Sequence, residues 1–224
     1  MRKIIARSVE ERRSSMMSAR APILSDIPAS ARMSAEDYLA APQSEQKSDL
    51  IEGVFVMASP ATRIHEILVT FLAAIFRNFV GHHKLGEITG PNAAYRLNDE
   101  NVYQPDLAFV ASGRLNKAGD VYFDGAPDLA VEIVSPSSRQ YDLVEKRINY
   151  GRFGAKEYWL IDPIDRTVTL YVNVNGEMTP LPPEEGALRS RVLPGFWLRP
   201  EWIFPPEGVE RPTELEIARQ QGLI

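Results

Sequence analysis

The chemistry this sequence can carry centres on two acidic side chains and one lysine. The segment Leu129-Ala130-Val131-Glu132-Ile133-Val134 holds five apolar residues and one carboxylate. Such a run reads as a strand covered on both faces. An unpaired carboxylate buried there would be strongly destabilising or would take up a proton. Glu132 therefore needs a compensating partner, either a basic side chain or a bound cation. Two aspartates introduce similar strands, in Gln104-Pro105-Asp106-Leu107-Ala108 and Pro127-Asp128-Leu129-Ala130. Asp128 lies on the strand of Glu132, roughly 13 Å away at ~3.3 Å per residue, whereas oxygens that share one Mg²⁺ each lie only about 2.1 Å from it. Asp106, on a neighbouring strand roughly 5 Å away, is within reach. Asp106 and Glu132 are thus the candidate metal pair, and Asp128 reads as a strand-entry residue. The same spacing also fits a structural salt bridge at Glu132 with Asp106 capping a loop.

The lysine comes from the next element. Ser135-Pro136-Ser137-Ser138 opens a helix expected to run to about Phe153. On a wheel of roughly 100° per residue, Asp142, Glu145, Asn149 and Arg152 share a polar sector expected to be solvated. Tyr141, Val144 and Ile148 form one apolar sector, and Leu143, Tyr150 and Phe153 form another. Lys146 falls inside the second. An i,i+4 pair with Asp142 or a lysine snorkelling past aromatics would account for it. Equally, a lysine aimed at an apolar surface beside an inward carboxylate points to a shared site completed by Lys146.

These residues must be positioned by one mixed sheet flanked by helices. A short helix is expected at Ser34–Ala41 with Ser34 as N-cap, then a β-rich run, Leu50–Met57, with a glycine that suggests a hairpin. Ser59-Pro60 breaks it. Ile64, Ile67, Leu68, Phe71, Leu72, Ile75, Phe76 and Phe79 recur at helical steps across Thr62–Val80, and Gly81 should end that helix. The period then changes to two. Strands are expected at Gly86–Thr89, Ala93–Leu97, Tyr103–Val110, Asp128–Val134, Glu157–Asp162 and Thr167–Val174, with a short one near Arg191–Leu193. Residues 1–30 read as an extension, 31–205 as one domain and 206–224 as a C-terminal tail.

Composition sets bounds. The chain has 224 residues, 44% hydrophobic and 25% charged, with no cysteine. That suits one soluble domain and excludes disulfides, thiolate nucleophiles and zinc–cysteine sites. A cytoplasmic, reducing location fits. No apolar run reads as a membrane span, so no membrane partner is expected. The first 20 residues carry six basic and two acidic side chains but no long apolar core, so no secretory signal is expected. With Met16, Met17 and Met33 as alternative starts, this segment reads as a disordered tail or translation from an upstream start. A nucleic-acid-binding arm is the sharper alternative. The net charge of -5 is opposite in sign to that of proteins coating DNA nonspecifically. A nucleic-acid substrate would thus need a local basic patch or a bound metal.

At these residues the sequence resembles the Uma-two family of mostly bacterial endonucleases, in the PD-(D/E)XK superfamily. The matching stretches are Leu50-Ile51-Glu52-Gly53, Ser59-Pro60 with His65, Gln104-Pro105-Asp106, and Val131-Glu132-Ile133-Val134-Ser135-Pro136. They continue through Asp142, Lys146 and Tyr150 to Glu157-Tyr158-Trp159-Leu160-Ile161-Asp162-Pro163. The resemblance spans roughly residues 34–175 and implies a restriction-endonuclease-like fold. It also implies metal binding by Asp106, Glu132 and the backbone carbonyl of Ile133, with Glu52, His65 and Tyr150 as second-tier candidates. Two positions depart from the pattern. Val134 stands where the superfamily's lysine would be, a role that Lys146 fits from the next helix, and Val54 stands where the family often has an acid. The activity implied is Mg²⁺- or Mn²⁺-dependent hydrolysis of phosphodiesters, with DNA as the expected partner and a homodimer as an assembly the fold often adopts. The alternatives are an inactive nuclease-fold protein that binds nucleic acid or regulates, and a metal-dependent hydrolase of a small phosphodiester.

Overall fold

The computed structural model describes Leu24 and residues 27–41, 47–58, 61–136 and 138–224. Most of the expected N-terminal extension, Ser59-Pro60 and Ser137 lie outside them. Within that extension, however, Leu24 is buried and Ile27 packs beside it.

Helix α1 (Ala35–Ala40) starts as its sequence dictates: the Ser34 side chain accepts from the Asp37 amide. Strands β1 (Ser48–Ile51) and β2 (Val54–Met57) form an antiparallel hairpin. Glu52 and Gly53 make its two-residue turn at φ 51° and 76°, the paired positive angles that match strand twist. Helix α2 (Arg63–His83) is capped by Thr62. It continues through Gly81, which takes helical geometry, and stops at Lys84 in the left-handed conformation. This corrects the expected end: the helix satisfies its last carbonyls through the Lys84 amide, so the stop does not need the glycine. By length and hydropathy α2 could cross a membrane, but its apolar stripe from Leu68 to Val80 is packed in the core. Burial of such side chains is worth about 1.5–3 kcal/mol each.

Strands β3 (Gly86–Thr89), β4 (Ala94–Asn98), β5 (Asn101–Tyr103), β6 (Leu107–Ala111), β7 (Tyr122–Asp124) and β8 (Leu129–Ile133) follow. Next comes helix α3, a π-helical turn (Tyr141–Lys146) continuing as Arg147–Arg152, then β9 (Glu157–Asp162), β10 (Thr167–Val174) and β11 (Glu177–Leu181). The chain closes with β12 (Leu188–Arg189), β13 (Trp197–Leu198), α4 (Pro200–Ile203) and α5 (Glu214–Gln220). The mixed sheet is six-stranded, in the order β11-β10-β9-β8-β6-β3, with β8 and β9 parallel. A second, five-stranded sheet runs β2-β1-β5-β4-β7.

The second sheet explains why the expected strand Tyr103–Val110 is two strands. β5 belongs to one sheet and β6 to the other, and Gln104-Pro105-Asp106 is the crossing between them. Pro105 has no N–H for a ladder, so the break falls there. One face of the six-stranded sheet packs Leu107, Phe109, Val131 and Trp159 against α2. The other packs Ala108, Val110, Ala130 and Tyr158 among Tyr103 and Ile51 of the second sheet and Tyr150 of α3. The residues expected as a tail carry α5, whose Ile217 and Ala218 pack into the α2 core. Thr213 and Glu216 fix its start with a reciprocal capping box.

Candidate metal centre

Register brings the two acids together. Leu107 pairs with Val131 and Ala108 with Ala130 across antiparallel β6 and β8. One step further puts Asp106 opposite Glu132, on the face that meets the second sheet. Asp106 and Glu132 are 2% and 1% exposed, so both charges must be answered locally. The Asp106 Oδ2 accepts from the Ile133 amide at 2.7 Å and lies 3.2 Å from His65 Nε2, at the N-terminal end of α2. Its Oδ1 accepts from Lys47 Nζ at 2.6 Å. Glu132 Oε1 accepts from Lys146 Nζ at 3.0 Å and from the Tyr150 hydroxyl at 3.2 Å. Lys146 also reaches Asp49 at 2.7 Å and Asp142 at 3.3 Å, and its ammonium lies 5.9 Å from the Tyr103 ring centroid.

Asp106, Glu132 and Lys146 are therefore in one place, with His65 and Tyr150 touching the same carboxylates. Glu52 is not with them: it forms the β1–β2 turn, where its carbonyl accepts from Arg32 and its amide donates to Asn101. Asp128 sits apart, paired to Arg114, Lys156 and the Ala111 amide.

The site uses two residues that the sequence did not bring into it. Lys47 immediately precedes β1, and Asp49 lies on β1, where it also accepts from the Gln104 amide at 2.7 Å. Asp49 follows Lys47-Ser48 and so lacks the apolar flanks that marked Glu132. Asp142 and Asn149, expected in a solvated sector, are 1% and 2% exposed, whereas Val144 and Ile148, expected in an apolar sector, are 44% and 45% exposed. The correction has a geometric cause. Tyr141–Lys146 is π-helical, so it turns less per residue than the roughly 100° assumed, and the wheel loses phase.

The electrostatics follow from burial and contact. Burial pushes the Glu132 carboxyl up to about 7 against the pull of Lys146 and Lys47. Burial also opposes ionisation of Asp106, but Lys47 and His65 hold it well below the usual range. Burial would lower Lys146, yet Asp49, Glu132 and Asp142 hold it well above an ordinary lysine. The groups line a cavity of about 290 Å³.

Asp128 gives a test separate from this centre. Burial disfavours its charge, but the Ala111 amide, Lys156 and Arg114 outweigh that, and its pKa is lowered. A lowered carboxyl contributes stability that is complete above its unfolded value and is lost as pH falls through the folded one. Asp128→Asn should cost roughly 1–3 kcal/mol at neutral pH. In acid denaturation followed by circular dichroism, the variant and wild type should converge below about pH 4; parallel curves would remove Asp128 from the acid response.

Two hard carboxylates facing each other across adjacent strands match the donor chemistry of Mg²⁺ or Mn²⁺. Among the described residues, no three His, Asp or Glu side chains converge closely enough to hold a metal by themselves. A ligand set here would need backbone carbonyl or water oxygens, which Mg²⁺ accepts.

A family model described as "Putative restriction endonuclease" (Uma2) matches residues 35–201. No curated protein matches the chain. Among solved structures, the chain is similar to a "putative nuclease" from Anabaena variabilis at 18% identity and a TM-score of 0.66, covering 77% of this chain and 97% of that one. At that identity the likeness shows a shared fold.

Proposed function

The chain belongs to the Uma2 restriction-endonuclease family, and from that premise we propose that it is a divalent-metal-dependent endonuclease hydrolysing phosphodiester bonds of DNA. The observation that carries the reading is the buried Asp106–Glu132 pair with Lys146 3.0 Å from Glu132. Asp106, Glu132 and the backbone carbonyl of Ile133 would hold Mg²⁺ or Mn²⁺, which when bound supplies Lewis-acid polarisation of the phosphate and a more acidic water.

The protein's own groups do the positioning. The Ile133 amide and His65 fix the Asp106 carboxylate. Tyr150 and Lys146 fix Glu132 through one oxygen, Oε1, and leave Oε2 toward Lys47. Lys146 stays protonated among three acids and so provides a fixed positive charge beside the developing negative charge of the attacked phosphate.

Supercoiled DNA incubated with the protein and Mg²⁺ or Mn²⁺ should be nicked, a chelator should stop it, and Asp106→Asn should slow it by about a hundredfold or more. DNA left intact under all conditions, with RNA and small phosphodiesters also untouched, would sink the proposal. One observation favours a second reading, a metal-free scaffold: the Lys47 ammonium already faces both acids. Thermal stabilisation by Mn²⁺ that is lost in Asp106→Asn separates a working centre from that scaffold.

A further inference from the structure

The buried acids of the cavity divide between two lysines. Lys146 takes Asp49, Asp142 and Oε1 of Glu132. Asp106 and Oε2 of Glu132 face Lys47, whose ammonium lies 2.6 and 3.8 Å from them. We propose that Lys47 is a displaceable internal counter-ion: its ammonium holds the space between the two acids in the metal-free protein, and a divalent cation enters by replacing it. This rests on reading Asp106 and Glu132 as metal ligands.

Geometry makes the exchange necessary. A metal ion sits about 2.1 Å from each carboxylate oxygen it binds. An ammonium 2.6 Å from Asp106 occupies the same side of that carboxylate, and two cations so close repel strongly. Exposure makes the exchange feasible. The Lys47 side chain is 19% exposed and lines the open cavity, whereas that of Lys146 is 4% exposed and tied to three acids. Lys47 also stands just before β1, not within a packed helix turn, and its four-carbon stem lets the charge swing into water. The two lysines thus have different tasks: Lys146 stays, and Lys47 yields. Competition of this kind sets a threshold, because the metal must bind tightly enough to break the Lys47 contacts as well as shed its own water.

The test is Mn²⁺ binding to the metal-free full-length protein by titration calorimetry, with melting temperatures measured in parallel. Lys47→Met, which keeps the stem without the charge, should bind Mn²⁺ about tenfold tighter than wild type or more. It should also melt lower than wild type without metal and gain more on adding it. Lys47→Arg, which keeps a cation, should bind no tighter than wild type. If Lys47→Met binds no tighter while Asp106→Asn abolishes binding, the counter-ion role fails and the metal centre stands. If no form binds Mn²⁺, the metal centre fails and takes the counter-ion with it. A measurement on wild type alone guards against misfolded variants. The ¹⁵N signal of the Lys47 ammonium should shift toward that of a solvated lysine as Mg²⁺ is added, and an unchanged signal at saturation overturns the proposal.

Discussion

Lys146→Met should lose both stability and nuclease activity, and the two losses should respond differently to metal. The substitution keeps the stem and removes the charge that answers Asp49, Glu132 and Asp142 within 3.3 Å. Breaking a buried ion pair by removing one partner costs about 3–5 kcal/mol, because the charge left behind has no water to turn to. Activity should fall between about a hundred- and a thousandfold, the range for deleting one preorganised charge or donor at a reacting centre. Mn²⁺ at Asp106 and Glu132 would share one carboxylate with Lys146 and restore positive charge beside the other two, so the variant's melting temperature should recover partly with metal while nicking stays low. A variant that nicks at the wild-type rate would remove Lys146 from the reaction. One that regains activity along with stability would reduce it to a structural role.

Much of this centre was legible because its residues break local rules. Glu132 stands out in an apolar strand, and strand spacing alone favours Asp106 over Asp128 as its partner. The observed register, Leu107 with Val131, agrees with that choice. Lys146 was legible for the same reason, since a charge pointing into an apolar surface needs an answer. Lys47 and Asp49 were harder to see. Each looks ordinary beside a turn, and each enters the site only because β1 belongs to a second sheet that closes over the first. Alternation along a strand states which face a residue takes, not which sheet it joins. That is also why β5 and β6 read as one strand in the sequence although they belong to two sheets that part at Pro105.

The fold's remaining surprises have local causes. The Asn175-Gly176 turn, with φ 55° and 92°, is a strong hairpin signal in the sequence, yet β11 was hidden behind it by Pro180. Pro180 is tolerated because β11 is the sheet's edge. The π-helical turn in α3 is different, because no residue pattern announces it. It rotates Asp142 and Asn149 inward, where Asn149 donates to the Tyr103 hydroxyl at 2.8 Å and Asp142 meets Lys146. The same irregularity that defeated the helical wheel therefore helps build the site.

Glu157 is a buried acid that stands apart from the candidate centre. It belongs to the matching Glu157-Tyr158-Trp159 stretch and is fully buried, but it lies on the opposite face of the sheet from Glu132. Leu129, its partner in β8, and Trp159, two residues on, both pack against α2. Among the described residues, no lysine or arginine side chain answers it. Its Oε2 accepts from Ser190 Oγ at 2.8 Å and Trp159 Nε1 at 3.1 Å, and its Oε1 from the Val192 amide at 3.0 Å and the Arg191 amide. Burial raises its pKa even against those four donors. Glu157 thus staples the loop between β12 and β13 to the sheet. Removing it strands buried donors, each worth about 1–3 kcal/mol when left without a partner. Glu157→Ala should therefore lower stability by roughly 3 kcal/mol or more in urea denaturation, comparable to the loss at Lys146. Glu157→Gln should recover only part, because its NH₂ must face donors. Neither variant should change Mn²⁺ affinity at temperatures where it is folded, since the sheet separates Glu157 from the cavity. A Glu157→Ala protein as stable as wild type, or one with altered metal binding, would show that this acid does something other than hold the loop.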